Sequence, residues 1–168
     1  MEEIINKVAN SKLEVFDLED FFPKQPLLSI DISQWLYEGF ILKEKEFRKT
    51  LKNYDWLPFK DSLVSINCST DAILPAWTFA LVTVYLQPIA SKVVSGNKND
   101  LLINVYQEKL DQIDFSIYDK KTLILKGCSN KPVPNEAYVL AIQKLMPFAK
   151  SIMFGEACSA VPLFKTIK

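Results

Sequence analysis

Three cysteines are the residues of this chain best equipped for chemistry, and each is followed by serine: Cys68-Ser69, Cys128-Ser129 and Cys158-Ser159. The first two close similar apolar runs, Leu63-Val64-Ser65-Ile66-Asn67 and Leu123-Ile124-Leu125-Lys126-Gly127. With one residue deleted in the second copy, Pro75, Leu81, Leu86, Pro88, Ala90 and Gly96 meet Pro134, Leu140, Leu145, Pro147, Ala149 and Gly155. The chain therefore repeats itself, over 63–96 and 123–155. Thiolates bind zinc or an iron–sulfur cluster, and they carry sulfur through persulfide or disulfide exchange. On that reading Cys68, Cys128 and Cys158 are the metal ligands, and Asp71 and Glu156 are the nearest oxygen ligands. Lys126 and Lys131 stand close in sequence to Cys128, where a cation stabilises a thiolate.

What is missing narrows the chemistry. The chain has no histidine. That removes Ser-His-Asp and Cys-His catalysis, His-ligated zinc and a histidine base. Only four glycines occur, and none forms a dinucleotide or phosphate-binding run. Lys+Arg and Asp+Glu both number 20, so no basic surface for nucleic acid is expected. An odd number of cysteines argues against a framework of structural disulfides. The start Met1-Glu2-Glu3 is acidic, unlike a secretory leader, and the longest apolar run, Ala72 to Leu86, is too short to span a bilayer. A cytoplasmic protein without membrane contact is the expectation.

The elements that must position the cysteines follow from periodicity and breakers. A short helix is expected near Glu3–Ala9, and strands at Leu13–Phe16 and Leu27–Ile32. Trp35–Leu42 fits either state, and a helical stripe then runs through about Tyr54. Strands follow at Ser62–Asn67, Lys92–Ser95, Thr122–Lys126 and Ser151–Phe154. The helices between them are Pro75–Tyr85, with Trp77, Leu81 and Val84 on one side, then Asp100–Ile113 and Pro134–Leu145. Alternation of strand and helix implies a single α/β domain over 1–168, with a mainly parallel sheet, helices on both faces and a duplicated βαβ unit. In such a sheet the carboxyl ends of the strands share a rim, where ligands bind. Cys68 and Cys128 fall just past strand ends, each ahead of a helix. Ser69, Thr70 and Asp71, and Ser129 and Asn130, are candidate caps.

A second reading is a non-enzymatic interaction protein with buried structural cysteines. Trp35, Tyr37, Trp56 and Phe59 would then supply partner contacts, although aromatic residues mostly build cores. Arg48, the only arginine, lies four residues after Glu44 and is expected to form a helix-face ion pair.

Several blocks resemble the bacterial domain-of-unknown-function family numbered 2480. They are Cys68-Ser69-Thr70-Asp71-Ala72-Ile73-Leu74-Pro75-Ala76-Trp77, Lys126-Gly127-Cys128-Ser129 with Pro132-Val133-Pro134 and Ala137-Tyr138, and Gly155 to Lys165. Glu44 to Arg48 and Asp55-Trp56 are similar as well, so the resemblance covers nearly the whole chain. It supplies no catalytic residues. It implies iron–sulfur assembly or sulfur-transfer proteins as partners, which favours metal or sulfur chemistry.

Overall fold

The computed structural model describes residues 13–127, 129–156 and 159–166. The expected helix at Glu3–Ala9 lies outside them. The chain forms two compact units, one of residues 23–105 and one of residues 1–22 with 106–168.

The unit of residues 23–105 holds a parallel three-stranded sheet of β2 (Leu27–Asp31), β3 (Leu63–Asn67) and β4 (Lys92–Ser95), in the order β2-β3-β4. Strand β3 is buried along nearly its whole length, as a central parallel strand covered on both faces must be. Helix α1 (Glu44–Asn53) turns Phe47 and Leu51 inward, and helix α2 (Ala76–Leu86) turns Thr78, Val82 and Leu86 inward. Trp35, Tyr54, Trp56 and Tyr85 interlock with Phe47 and Phe59 in this core.

The other unit holds a four-stranded sheet in the order β1-β5-β6-β7, made of β1 (Leu13–Asp17), β5 (Thr122–Lys126), β6 (Ser151–Phe154) and β7 (Val161–Lys165). The first three are parallel, and β7 pairs antiparallel with β6. Helix α4 (Asn135–Leu145) buries Ala137, Ala141 and Leu145. The division between units falls inside helix α3 (Lys98–Asp111), after Val105. Asn97 and Asp100 cap this helix reciprocally: each carboxylate or amide oxygen accepts the other residue's backbone N–H, at 3.1 and 2.7 Å.

The α/β architecture with mainly parallel sheets matches the sequence reading, and most element boundaries agree within two residues. Three details differ. The strands divide between two sheets where one was expected. Strand β7 was not expected, because proline at 162 reads as a breaker. On α2 the residues expected on one side do not share an environment: Trp77 and Leu81 pack against the core, and Val84 is 65% exposed. The helix is apolar on nearly every side, so its periodicity carries no direction.

The two units match element by element. Each element of the second set starts 59 residues after its counterpart, from Leu63 to Thr122, Ala76 to Asn135 and Lys92 to Ser151. Connecting hydrogen bonds repeat too. Asp61 N–H donates to Ile89 C=O and Lys120 N–H to Phe148 C=O, both at 2.9 Å, and Asp61 and Lys120 share a φ of 56°. The likeness extends to β1 and β2, which run from Leu13 and Leu27 to Asp17 and Asp31. Each closing aspartate then caps a short 3-10 turn, accepting from Glu19 N–H and Ser33 N–H at 3.0 Å. This is compatible with duplication of a whole β–β–α–β module, with one copy inserted inside the other.

Candidate functional site

A parallel sheet gathers its strand ends on one rim, and in the unit of residues 23–105 that rim is built by two loops. Asp31 ends β2 and Asn67 ends β3, opposite one another in register. Asp31 Oδ1 accepts from the backbone N–H groups of Ser33 and Ser69, both at 3.0 Å, and Oδ2 accepts from the Ser69 hydroxyl at 2.5 Å. The Ser33 and Ser69 hydroxyls lie 3.1 Å apart. Partial desolvation pushes the Asp31 carboxyl up, but the Ser69 and Ser33 side chains and amides outweigh it and hold the group at about 2. So firmly ionised a carboxylate is a poor proton acceptor. The arrangement ties one loop to the other and does not activate Ser69 as a nucleophile.

The loop so anchored carries Cys68, Thr70 and Asp71. The Cys68 thiol is half-buried, packs against the unit's core and lies 3.4 Å from Thr70 Oγ1. The Thr70 hydroxyl donates to Gly39 C=O at 2.6 Å. Gly39 follows Glu38 in a tight turn where both residues have positive φ, 53° and 77°, which suits glycine in the second place. The turn is closed by paired hydrogen bonds between Tyr37 and Ile41. Thr70 thus pins a small hairpin to the cysteine-bearing loop.

The two pinned segments raise an apolar ridge. Phe40 is 56% exposed, Ile41 51% and Ile73 96%. Between them, with Trp77 and Pro75, lies an open groove of about 650 Å³, edged by Glu44 and Asp71. Glu44 is taken by Arg48 at 2.8 Å, the ion pair expected from the sequence.

The other unit stitches its rim the same way with different residues. Glu19 Oε1 accepts from the backbone N–H groups of Asn130 and Ser129, at 2.7 and 2.6 Å. The bond from Asn130 leads those that hold its carboxyl below the ordinary range, against an opposing push from desolvation. Lys126 lies 3.2 Å from Asp17 and 3.9 Å from Glu156, and its bond to Asp17 raises its pKa first among the causes. Gly127 passes so close to the first turn that a Cβ there would sit 2.7 Å from Leu18 Cβ. Lys131 lies over the Phe22 ring.

The candidate residues named from sequence are therefore placed as follows. Cys68 and Asp71 belong to the rim of the first-described unit, and Lys126 and Glu156 approach one another in the other. Cys128 and Cys158 lie outside the described residues. Among the described residues no group of three or more Cys, Asp or Glu is disposed to hold a metal. The uniform spacing also revises the repeat alignment at its first cysteine: Cys68 matches Gly127, and Ser69 matches Cys128. Cys68 stands well ahead of the helix that follows it, because α2 begins only at Ala76, beyond Pro75. Neither α2 nor α4 has a side-chain cap, so Ser69, Thr70, Asp71, Ser129 and Asn130 serve the rim loops instead. Of the aromatics offered as partner contacts, Trp35, Trp56 and Phe59 belong to the core and only Tyr37 is exposed.

Sequence reasoning missed the ridge. Ile73 stands inside the apolar run Ala72 to Leu86, and nothing local marks it as exposed; it is 96% exposed. No helix among the described residues is long and apolar enough to cross a membrane. No curated protein and no solved structure matches the chain. A family model does match, over residues 2–166, and by that match the chain belongs to the family described as "Protein of unknown function (DUF2480)".

Proposed function

We propose that this chain is a protein-interaction module, and that the rim ridge of Phe40, Ile41 and Ile73 is its docking surface. The observation that carries this reading is Ile73. A large aliphatic side chain 96% exposed has no stabilising role in the chain that bears it. Here it sits on a loop that Asp31 and Thr70 anchor, so the exposure is built rather than incidental. Asp71 lies on the groove's edge and Glu38 on the hairpin, and neither has an ion-pair partner among the described residues. The fitting partner is a protein segment with apolar side chains for the groove and a flanking lysine or arginine. The test is photocrosslinking from position 73, with position 84 as an exposed control.

A second reading keeps the thiols. Lys126 and Glu156, whose side chains come within 3.9 Å, stand two residues before Cys128 and two before Cys158. That favours a shared neighbourhood for these two cysteines, with Lys126 as thiolate stabiliser and Glu156 as an oxygen ligand of zinc or a cluster. Cys68 belongs to the other unit. Partners would then be iron–sulfur assembly or sulfur-transfer proteins, in the cytoplasm. Metal analysis of untagged protein, with thiol titration of the same sample, tests it. About one metal per chain, lost on Cys128→Ser and on Cys158→Ser, supports this reading. Metal-free protein whose thiols react only after unfolding removes it.

A further inference from the structure

The opposite rim of the four-stranded sheet, where β5 and β6 begin, is basic. Lys120 and Lys121 precede β5, Lys150 precedes β6, and Lys165 closes β7 opposite Ser151. Lys121 is paired with Glu14 at 2.7 Å, and Lys120 lies 3.8 Å from its neighbour Asp119. Lys150 and Lys165 are exposed and have no ion-pair partner among the described residues.

The duplicate shows that the fold does not ask for these lysines. Lys120 N–H donates to Phe148 C=O and Lys150 N–H to Lys121 C=O, at 2.9 and 2.8 Å. Asp61 N–H donates to Ile89 C=O and Ser91 N–H to Ser62 C=O in the same way, both at 2.9 Å. One backbone arrangement thus carries three lysines in one unit and Asp61, Ser62 and Ser91 in the other. The lysines go with a second feature that the three-stranded sheet lacks, the added strand β7. Between Phe164 of β7 and the turn Met146-Pro147-Phe148 lies a cleft of about 1000 Å³, flanked by Lys120, Lys150 and Lys165. Phe148 and Phe164 rest against the unit's core, and Met146 is 42% exposed.

The backbone along this cleft is already paired. Phe148 and Ala149 N–H both donate to Leu145 C=O, at 3.1 and 2.9 Å. Lys150 C=O accepts from Thr166 N–H at 2.9 Å, and Ala149 C=O from the Thr166 hydroxyl at 3.3 Å. What the cleft offers a ligand is therefore apolar side chains and ammonium groups.

We propose that the cleft binds an amphiphilic anion, a single acyl chain ending in a carboxylate. The tail lies against Met146, Phe148 and Phe164, and the carboxylate sits among Lys120, Lys150 and Lys165. An extended peptide is the poorer occupant, because its own N–H and C=O groups would meet a wall with none left to pair. Residues 1–12 lie outside the described residues and join β1 at this same rim. Their Glu2-Glu3-Ile4-Ile5 is a rival occupant, but Lys7 and Lys12 of the same stretch are repelled by the rim's lysines. This inference stands apart from the rim ridge and uses none of its residues.

The test titrates the full chain, labelled with nitrogen-15, with decanoate and with decan-1-ol. Decanoate should give saturable amide shifts confined to residues 119–121, 146–150 and 164–166, and should bind about tenfold tighter than the alcohol. Lys150→Glu should remove that difference, while Ile73→Asp should leave it intact. Lys165→Glu, a second charge reversal at an exposed position, should repeat the loss and keeps the claim testable if Lys150→Glu misfolds. No saturation up to ~1 mM decanoate would overturn the proposal. Equal binding of acid and alcohol, or shifts elsewhere in the chain, would overturn it as well. Binding seen only after Ile4→Asp with Ile5→Asp would assign the cleft to the chain's own first residues and reject the acyl ligand as its occupant.

Discussion

Ser69 gives Asp31 two hydrogen bonds, one from its backbone N–H at 3.0 Å and one from its hydroxyl at 2.5 Å. Residues 38 apart in the chain are thereby joined at the strand ends, and the loop between β3 and α2 is fixed in place. Everything proposed for the rim depends on that anchor, because it holds Thr70 on Gly39 and leaves Ile73 outside.

The anchor has a pH signature. Asp31 has a folded pKa of about 2, below the value of about 3.9 for an unfolded aspartate. A lowered folded value means stability that is present above the unfolded pKa and lost as pH falls through the folded one. Asp31→Asn is expected to cost about 1 kcal/mol at pH 7, a figure discounted for the site's partial exposure. Urea titrations at pH 7, 5, 4 and 2.5 should show the gap between wild type and variant unchanged from 7 to 5 and shrinking below 4.

Gly127→Ala should destabilise the protein by about 2 kcal/mol, through positive φ and collision with Leu18 Cβ. Its counterpart tolerates a side chain, so Cys68→Ala should cost less, about 1 kcal/mol. Thermal melts of both variants give the comparison. Equal losses would undo the match of Cys68 with Gly127.

Thr78 is fully buried in α2, and its hydroxyl has no hydrogen-bond partner among the described residues. The counterpart of Thr78 is Ala137, which is buried as well. Thr78→Val keeps the shape and removes the stranded hydroxyl, so it should stabilise by about 1 kcal/mol. A loss of stability in denaturant titration would reveal a partner for that hydroxyl.

Much of the fold was legible because its strands are short β-branched runs separated by Gly and Pro. The cysteine repeat marked the two βαβ segments. What could not be read was how strands sort into sheets: Leu27–Asp31 and Leu13–Asp17 look alike, and nothing local says that one joins β3 and the other β5. The true repeat spacing was hidden too, because the cysteines attract an alignment that the strand register shifts by one place. Within a strand such a slip reverses every side chain. The rim was half legible. Cys68 was placed just past a strand end, where the structure has it after Asn67, but the anchors Asp31, Ser69 and Thr70 act across long separations that no local pattern reports.

Exposed Ile73 should be dispensable for folding. Ile73→Asp is expected to change stability by less than about 0.5 kcal/mol, the range for open surface positions. Phe40→Asp, at a residue 56% exposed on the pinned hairpin, should behave similarly. Equilibrium denaturation of each variant checks that the ridge can be altered without unfolding its unit.

The most direct measurement is photocrosslinking in living cells, with p-benzoylphenylalanine in place of Ile73. The interaction reading predicts one discrete adduct, mapped by mass spectrometry to an apolar segment flanked by lysine or arginine. That adduct should disappear with Phe40→Asp and with Asp71→Lys, and should be absent when the probe replaces Val84. No adduct at position 73, or the same adducts from 73 and 84, would contradict the claim that this ridge is a docking surface.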